Sequence, residues 1–304
     1  MSSIAAPVFQ PDHDARERRR GLALVTAAAL LWSTGGLIVR LLDTDVWTTV
    51  FWRSAFAALF IFAFIAWRDG RNAPTLFRAM GLPGIVVGCC YAAASTAFVA
   101  AVNLTSVANT LVLYSTSPLI AAILAWIFLA ERIKPLSWLA LLIAIGGVAL
   151  IVSGEGGRSS LAGDVLALCI ALAHSVATVI IRRQRHVRMI PAMALAMLLA
   201  TLIAGTQASP MAVSAPDFAI LVGFGSIQLG GSLAIYSTGA RLAPAAQVAL
   251  LCLLEPVIGP LLVWAVLGDH PGALALAGGA IVLAALALHF VVDQRKAKPL
   301  APAA

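Results

Sequence analysis

The chain has 304 residues, 61% of them hydrophobic and 11% charged, against roughly 45–50% apolar and roughly 25% charged in soluble domains; with a mean hydropathy of +0.98, this excludes a soluble globular protein. Twenty Lys and Arg against thirteen Asp and Glu leave a formal net charge of +7, but long uncharged runs separate the basic residues, so no basic patch for nucleic acid forms and the charge reads as membrane topology. The four cysteines, Cys89, Cys90, Cys169 and Cys252, fall inside apolar runs without disulfide or metal-ligand spacing, and the sequence implies no metal and no cofactor.

A helix crossing about 30 Å of hydrocarbon needs roughly 20 apolar residues, and such runs become helices because every backbone hydrogen bond must close internally. In chain order the runs are 22–42, 47–67, 80–101, 107–130, 135–153, 165–181, 190–207, 218–240, 245–267 and 272–292. The predicted fold is therefore an all-α integral membrane protein of ten transmembrane helices. The first run follows Arg16, Arg18, Arg19 and Arg20, but it is too long for a signal-peptide core. It is retained as a span.

The basic residues support this division, because cytoplasmic loops hold Lys and Arg while translocated loops shed them. One side collects the N-terminal arginines, then Arg68, Arg71, Arg78, Arg132, Lys134, Arg182, Arg183, Arg185, Arg188, Arg241, Arg295, Lys296 and Lys298. The loops of the other side hold Arg158 beside Asp43, Asp45, Glu155, Asp217 and Asp269. Both termini are expected in the cytoplasm, and the plain charge pattern and short loops suit a bacterial inner membrane.

An internal repeat is visible. Ser117-Pro118, Trp126 and Glu131 in the fourth run are echoed by Glu255-Pro256, Trp264 and Asp269 in the ninth; Trp32-Ser33 through Arg40 in the first run is echoed by His174-Ser175 through Arg182 in the sixth. Each copy holds five spans, and an odd number reverses direction across the bilayer, so the copies form an inverted-topology repeat of the kind found in secondary transporters. The expected organisation is a cytoplasmic tail 1–21, a first five-helix repeat 22–153, an extracytoplasmic linker 154–164, a second repeat 165–292 and a cytoplasmic tail 293–304.

These residues resemble the drug/metabolite transporter superfamily, and specifically its ten-helix EamA-type members, which include bacterial amino-acid exporters. The resemblance is most specific over Pro118-Leu119 through Ala125-Trp126-Ile127-Phe128-Leu129-Ala130-Glu131-Arg132, with Gly146-Gly147, Arg53 in Phe51-Trp52-Arg53, and Gly163-Asp164 also fitting. Departures are Asp269-His270 against Glu131-Arg132, and Glu255 against Ser117. The resemblance implies a central cavity lined by helices one to four and six to nine, with helices five and ten packed outside.

Ionisable groups at bilayer depth are candidate site residues. Glu255 and His174 lie in the middle of their runs and suit a proton or substrate-ammonium role; a carboxyl bonded to a neighbouring helix, and a ring filling the place of its repeat partner Trp32, are the structural alternatives. Arg53 is a buried charge expected to meet an acid or a free carbonyl. Pro118, Pro256 and Pro260 each remove a backbone hydrogen bond, which predicts kinks used either for packing or for gating, with Ser117 in the polar cluster beside the first. Gln228, Ser232 and Tyr236 share a helix face. Trp32, Tyr91, Tyr114 and Tyr236 lie within spans and suggest an aromatic-lined pocket, whereas Trp47, Trp67 and Trp138 read as interfacial. Glu131, at a helix C-terminus where the macrodipole disfavours an anion, is expected to be compensated by Arg132 or Lys134.

No loop is long enough to hold an ATPase or a large catalytic domain, and Ser175 beside His174 points about 100° away around a helix, so no enzyme is expected. The reading is a secondary carrier that exports amino acids or similar small metabolites by alternating access, with the bilayer and a small-molecule substrate as partners and protons as a candidate coupling ion. Proton-coupled efflux of lipophilic cations through Glu255 is the alternative, and a passive channel a further one.

Overall fold

The computed structural model describes residues 11–104, 110, 113–131, 135–153, 160–268 and 272–295, and every regular element among them is helical. Arg132, Lys134, Glu155, Arg158, Asp269, His270, Lys296 and Lys298 lie outside the described residues. The first apolar run is carried by α1 (Pro11–Ser33) and α2 (Gly35–Arg40). Because α1 already begins at Pro11, the expected tail boundary at residue 21 falls inside a helix.

The second run is α3 (Val46–Asp69), capped by Asp45, whose carboxylate accepts a hydrogen bond from the Thr48 amide at 2.9 Å. Slight burial raises the Asp45 pKa, but the hydrogen bonds from Thr48 and Trp47 outweigh it and hold the carboxyl below its ordinary value. A 3-10 turn over Gly70–Asn72 leads into α4 (Ala73–Leu104), which bends at Gly81, with φ 51°, just ahead of Pro83. Only glycine adopts that backbone without strain, and it separates a short leading segment from the third apolar run.

The later runs are α5 (Ser117–Leu129), α6 (Pro135–Ser153), α7 (Leu161–Arg183) and α8 (Ile190–Ala204). The eighth comprises α9 (Ala215–Gly223), a π-helical segment Phe224–Gly231 and α10 (Ser232–Leu242). The ninth is α11 (Ala245–Cys252) with α12 (Glu255–Leu267), and the last is α13 (Ala273–Arg295). Among the described residues, five continuous stretches are long and apolar enough to cross a membrane: Ala15–Arg40, Val46–Phe98, Leu161–Arg183, Ala215–Leu242 and Ala245–Leu267. The 53-residue stretch Val46–Phe98 contains the second and third predicted runs. Ser117–Leu129, Trp138–Ile151, Ile190–Ala204 and Leu276–Leu288 are shorter apolar helices.

Packing follows the repeat. α4 packs on α7 as α1 packs on α10; α4 packs on α8 as the π-helical segment packs on α3; α5 packs on α7 as α11 and α12 pack on α1. The contacts of α3 with α8, α5 with α11, and α6 with α13 are each their own counterpart. Exchanging the two copies therefore returns the same set of major contacts.

Most of the apolar core is one cluster that includes Val25, Ile61, Tyr91, Met193, Leu233 and Tyr236. A second cluster, with Leu141, Val148, Leu250, Val257 and Val282, belongs largely to α6 and α13. Those two helices touch backbone to backbone: a Cβ on Gly147 would lie 2.8 Å from the Gly278 carbonyl oxygen. Small residues permit such close approach where lipid supplies no hydrophobic drive between helices. Trp67 is 83% exposed, while Trp47 and Trp138 pack partly against small clusters.

Candidate functional site

The centre of the bundle is built around helices that stop and restart. α5 begins at Ser117 with Pro118 in its first turn, and α12 begins at Glu255 with Pro256 in its first turn. Each has 13 residues and ends at a left-handed residue, Ala130 with φ 52° and Gly268 with φ 77°. The repeat thus extends to the backbone. Ahead of Pro118 and Pro256, at Ser115-Thr116 and Leu253-Leu254, the α-helical hydrogen-bond pattern breaks while the backbone stays right-handed, with Thr116, Leu253 and Leu254 donating to carbonyls three residues earlier. In a first turn, proline's missing N–H is not needed, which is why it is tolerated there.

The prolines themselves turn outward in the second copy. Pro256 and Pro260 line an apolar cavity of about 190 Å³ with Ile151 of α6 and Leu276 and Leu283 of α13. Pro118 is buried. What reaches the first interruption is Ser175 of α7, whose hydroxyl lies 2.8 Å from the Ser117 carbonyl oxygen and 2.7 Å from that of Ala171. Its single proton serves one of them at a time.

The first run is interrupted at Thr34, between α1 and α2, although its repeat partner α7 runs unbroken through His174 and Ser175. Carbonyls at that break, of which that of Leu31 also accepts from the Thr34 amide and hydroxyl, are met from the eighth run. Gln228 Nε2 donates to the carbonyl oxygens of Leu31 at 3.1 Å and Trp32 at 3.3 Å. Gln228 belongs to the π-helical segment, a geometry frequent at functional sites. Its Oε1 is buried without a hydrogen-bond partner.

Five of the predicted site residues form one aromatic cluster. The Tyr236 ring lies 5.0 Å from Trp32, 5.9 Å from His174 and 6.4 Å from Tyr91. The His174 ring lies 5.6 Å from Tyr91 and 5.7 Å from Tyr114, edge to face. Thr178 gives its proton to the His174 carbonyl at 2.9 Å, so Tyr236 donates to Thr178 Oγ1 at 2.8 Å. The Tyr236 oxygen can then accept from His174 Nε2–H at 3.4 Å. The Tyr91 hydroxyl is buried nearby, toward those of Tyr236 and Thr178 but without a well-aligned hydrogen bond among the described residues. His174 is therefore held among tyrosines and makes no ion pair with Glu255.

Arg53 stands on α3 with its guanidinium 5.3 Å from the centre of the Phe224 ring, a cation–π distance. Its Nε is buried and unpartnered. Glu255 opens α12, partly accessible although it lies deep among the helices. It interacts electrostatically with Arg53, Tyr114 and Cys252, and forms no hydrogen bond or ion pair with the described residues. Arg53, expected to meet an acid or a free carbonyl, thus makes no ion pair with Glu255.

At the end of the bundle that carries the basic loops, ties between elements appear that no motif announced. Arg182, at the end of α7, donates to Glu131 at 2.9 Å and to the Arg241 carbonyl at 3.0 Å. Arg188 forms a bidentate pair with Asp69 at 2.6 and 3.0 Å. Arg18 donates to Gln247 Oε1 at 3.0 and 3.1 Å. The cation that answers Glu131 here comes from Arg182; Arg132 and Lys134, its expected partners, lie outside the described residues. The signal available in the sequence was the charge at the end of each run, without its pairing.

A model of the EamA-like transporter family matches residues 19–153 and 161–291, one match for each copy of the repeat. Protein RarD of Salmonella typhi, like that of Salmonella typhimurium, is 27% identical over 143 residues, which cover 44% of this chain and 47% of RarD. The match thus spans about half the length of those relatives. The uncharacterized transporter PA0485 of Pseudomonas aeruginosa is 26% identical over 288 residues, 89% of this chain and 93% of that protein. A solved crystal structure superposes with a TM-score of 0.74 at 17% identity, covering 91% of this chain and 98% of that one. That likeness is one of fold.

Proposed function

The chain belongs to the EamA-like transporter family, and from that premise we propose that it is a secondary carrier exporting amino acids or similar small metabolites across a bacterial inner membrane by alternating access. In this reading the chain crosses the bilayer ten times, as two inverted five-helix repeats over residues 22–153 and 165–292. Residues 154–164 link the repeats on the outside, and both tails lie in the cytoplasm. The continuous stretch Val46–Phe98 supplies two of the crossings.

The observation that carries the reading is the pair of repeat-related breaks in helical hydrogen bonding at Ser115-Thr116 and Leu253-Leu254, the first beside Tyr114 and its ring contact with His174, the second against the core cluster of Tyr91 and Tyr236. Matching breaks in the two halves of a transporter leave backbone groups available where substrate binds near the midplane. Trp32, Tyr91, Tyr114, Ser117, His174, Gln228, Tyr236 and Glu255 are the proposed cavity residues, and the interrupted helices at Pro118 and Pro256 the proposed gating elements. Pro260, facing α13, fits a packing role better. Energy comes from gradients of substrate, with protons as the candidate coupling ion.

Proton-coupled efflux of lipophilic cations is a second reading, favoured by Glu255 interacting with Tyr114 and forming no ion pair with the described residues. Counterflow of labelled amino acids into proteoliposomes, with and without a pH gradient, tests the two. Saturable exchange that persists without the gradient, and in Glu255→Gln with weakened substrate binding, is expected of a facilitative metabolite carrier. Absence of amino-acid exchange, with gradient-driven cation transport that disappears in Glu255→Gln, would overturn the proposal in favour of the second reading.

A further inference from the structure

Arg53 and Glu255 are opposite charges that feel one another but stay further apart than the 4.0 Å of an ion pair. Neither collapses onto the other because each is anchored by a rigid neighbour. Arg53 lies over Phe224, with its backbone pressed against Gly225. Glu255 is fixed at the start of α12, whose Gly259 would place a Cβ 3.5 Å from the Ser33 carbonyl oxygen. The break in the first run, between Ser33 and Gly35, thus touches the helix that carries Glu255. On its other side, a Cβ on Gly35 would lie 3.1 Å from Gln228 Nε2 and 3.9 Å from Phe224.

Gln228 adds a third pole. Its Nε2 is committed to the carbonyls of Leu31 and Trp32, which turns Oε1 away from them. That oxygen is left unpartnered in a residue only 7% exposed. A buried cation nitrogen, a carboxylate and an amide acceptor, each without a hydrogen-bond partner among the described residues, are costly in a helix bundle. Together they match a molecule that carries its own anion and its own cation a few ångströms apart.

Resting on the amino-acid reading above, we propose that Arg53 and Glu255 are the two poles of a zwitterion site: Arg53 holds the substrate carboxylate, and Glu255 with Gln228 Oε1 holds the ammonium. A guanidinium receives a carboxylate through paired N–H donors, and an ammonium has three protons to share between two acceptors. The aromatic cluster of Trp32, Tyr114, His174 and Tyr236 is left for the substrate side chain. A simple cation would leave Arg53 unanswered, and a simple anion would leave Glu255 unanswered. The π-helical turn has a place in this site, because it sets Gln228 against the broken first run while Gly225 and Gly230 let α3 approach.

The test uses the full chain in proteoliposomes, with counterflow of whichever amino acid of the panel exchanges fastest. Three competitors are compared: that amino acid, the amine left by removing its carboxylate, and the acid left by removing its amino group. Wild type is expected to prefer the zwitterion to either analogue by at least about tenfold, since each analogue leaves a buried charge unpaired. Arg53→Gln should abolish the discrimination against the amine, and Glu255→Gln the discrimination against the acid. Gln228→Leu should weaken binding of the zwitterion and the amine and leave the acid unchanged.

Equal losses for all three competitors in every variant would mean structural roles and overturn the proposal. Should Arg53→Gln fail to fold, the order of competitors on wild type and Glu255→Gln decides; an amine competing as well as the zwitterion on wild type overturns the assignment of Arg53. If wild type exchanges no amino acid but does exchange cations, the amino-acid reading itself has failed. If it exchanges amino acids without the reciprocal pattern in the variants, only the assignment of the two poles has failed.

Discussion

Glu131 follows α5 at the end where the helix macrodipole repels an anion, and the cation that answers it comes from Arg182, in the other repeat. The two side chains are 25% and 18% exposed, which places the pair between a screened surface bridge and a fully buried one. Arg182 also donates to the Arg241 carbonyl, so it joins the ends of three runs. Glu131→Gln and Arg182→Gln are each expected to lower thermal stability in detergent, with a coupling of about 1–2 kcal/mol in the double-mutant cycle. Additive losses would show that the pair contributes nothing of its own. Residue types were readable here and partners were not: nothing in a linear charge pattern distinguishes Arg182 from Arg183, yet only one side of α7 faces α5.

Among elements, the contact of α6 with α13 sets the sharpest contrast. Gly146 and Gly147 are adjacent in sequence and alike in composition, and a packing role for both is a fair inference from the pair. In the structure a Cβ on Gly147 would lie 2.8 Å from both the Gly278 carbonyl oxygen and Val282 Cγ2, whereas a Cβ on Gly146 would meet nothing within 4 Å. Gly147→Ala should therefore cost about 1–3 kcal/mol through overpacking. Gly146→Ala should be neutral or gain up to about 1 kcal/mol from helix propensity. Unfolding of the purified variants in one detergent compares them directly, and equal shifts would mean that the close approach is absent. The interruptions belong to this scale too. Proline marks the breaks ahead of α5 and α12 and none marks the one at Thr34, while the groups that reach the breaks at Ser115-Thr116 and Thr34, Ser175 and Gln228, come from distant runs.

For the whole molecule, the exchange of the two repeats organises the major helix contacts, and departures from it coincide with the proposed site. α1 is broken where α7 is continuous, and the eighth run carries a π-helical segment that is absent from α4. Glu255 stands where Ser117 stands in the first copy. Symmetry supplies the scaffold, and its violations supply Gln228 and Glu255. An even number of crossings with the basic loops inside predicts that a cytoplasm-dependent reporter fused at either terminus is active, while a reporter requiring translocation is inactive at both. Opposite behaviour at the two ends would require an odd number of crossings. Sequence alone determined the apolar runs, their charge alternation and the repeat, because each is a property of one segment measured against the bilayer or against another stretch of the same string. Tertiary structure decided which polar groups meet: that His174 sits among Tyr91, Tyr114 and Tyr236, that Arg53 and Glu255 remain apart, and that Gln228 closes the broken first run. Those contacts depend on helix rotation and on which helices are neighbours, and both are set by packing across the two repeats.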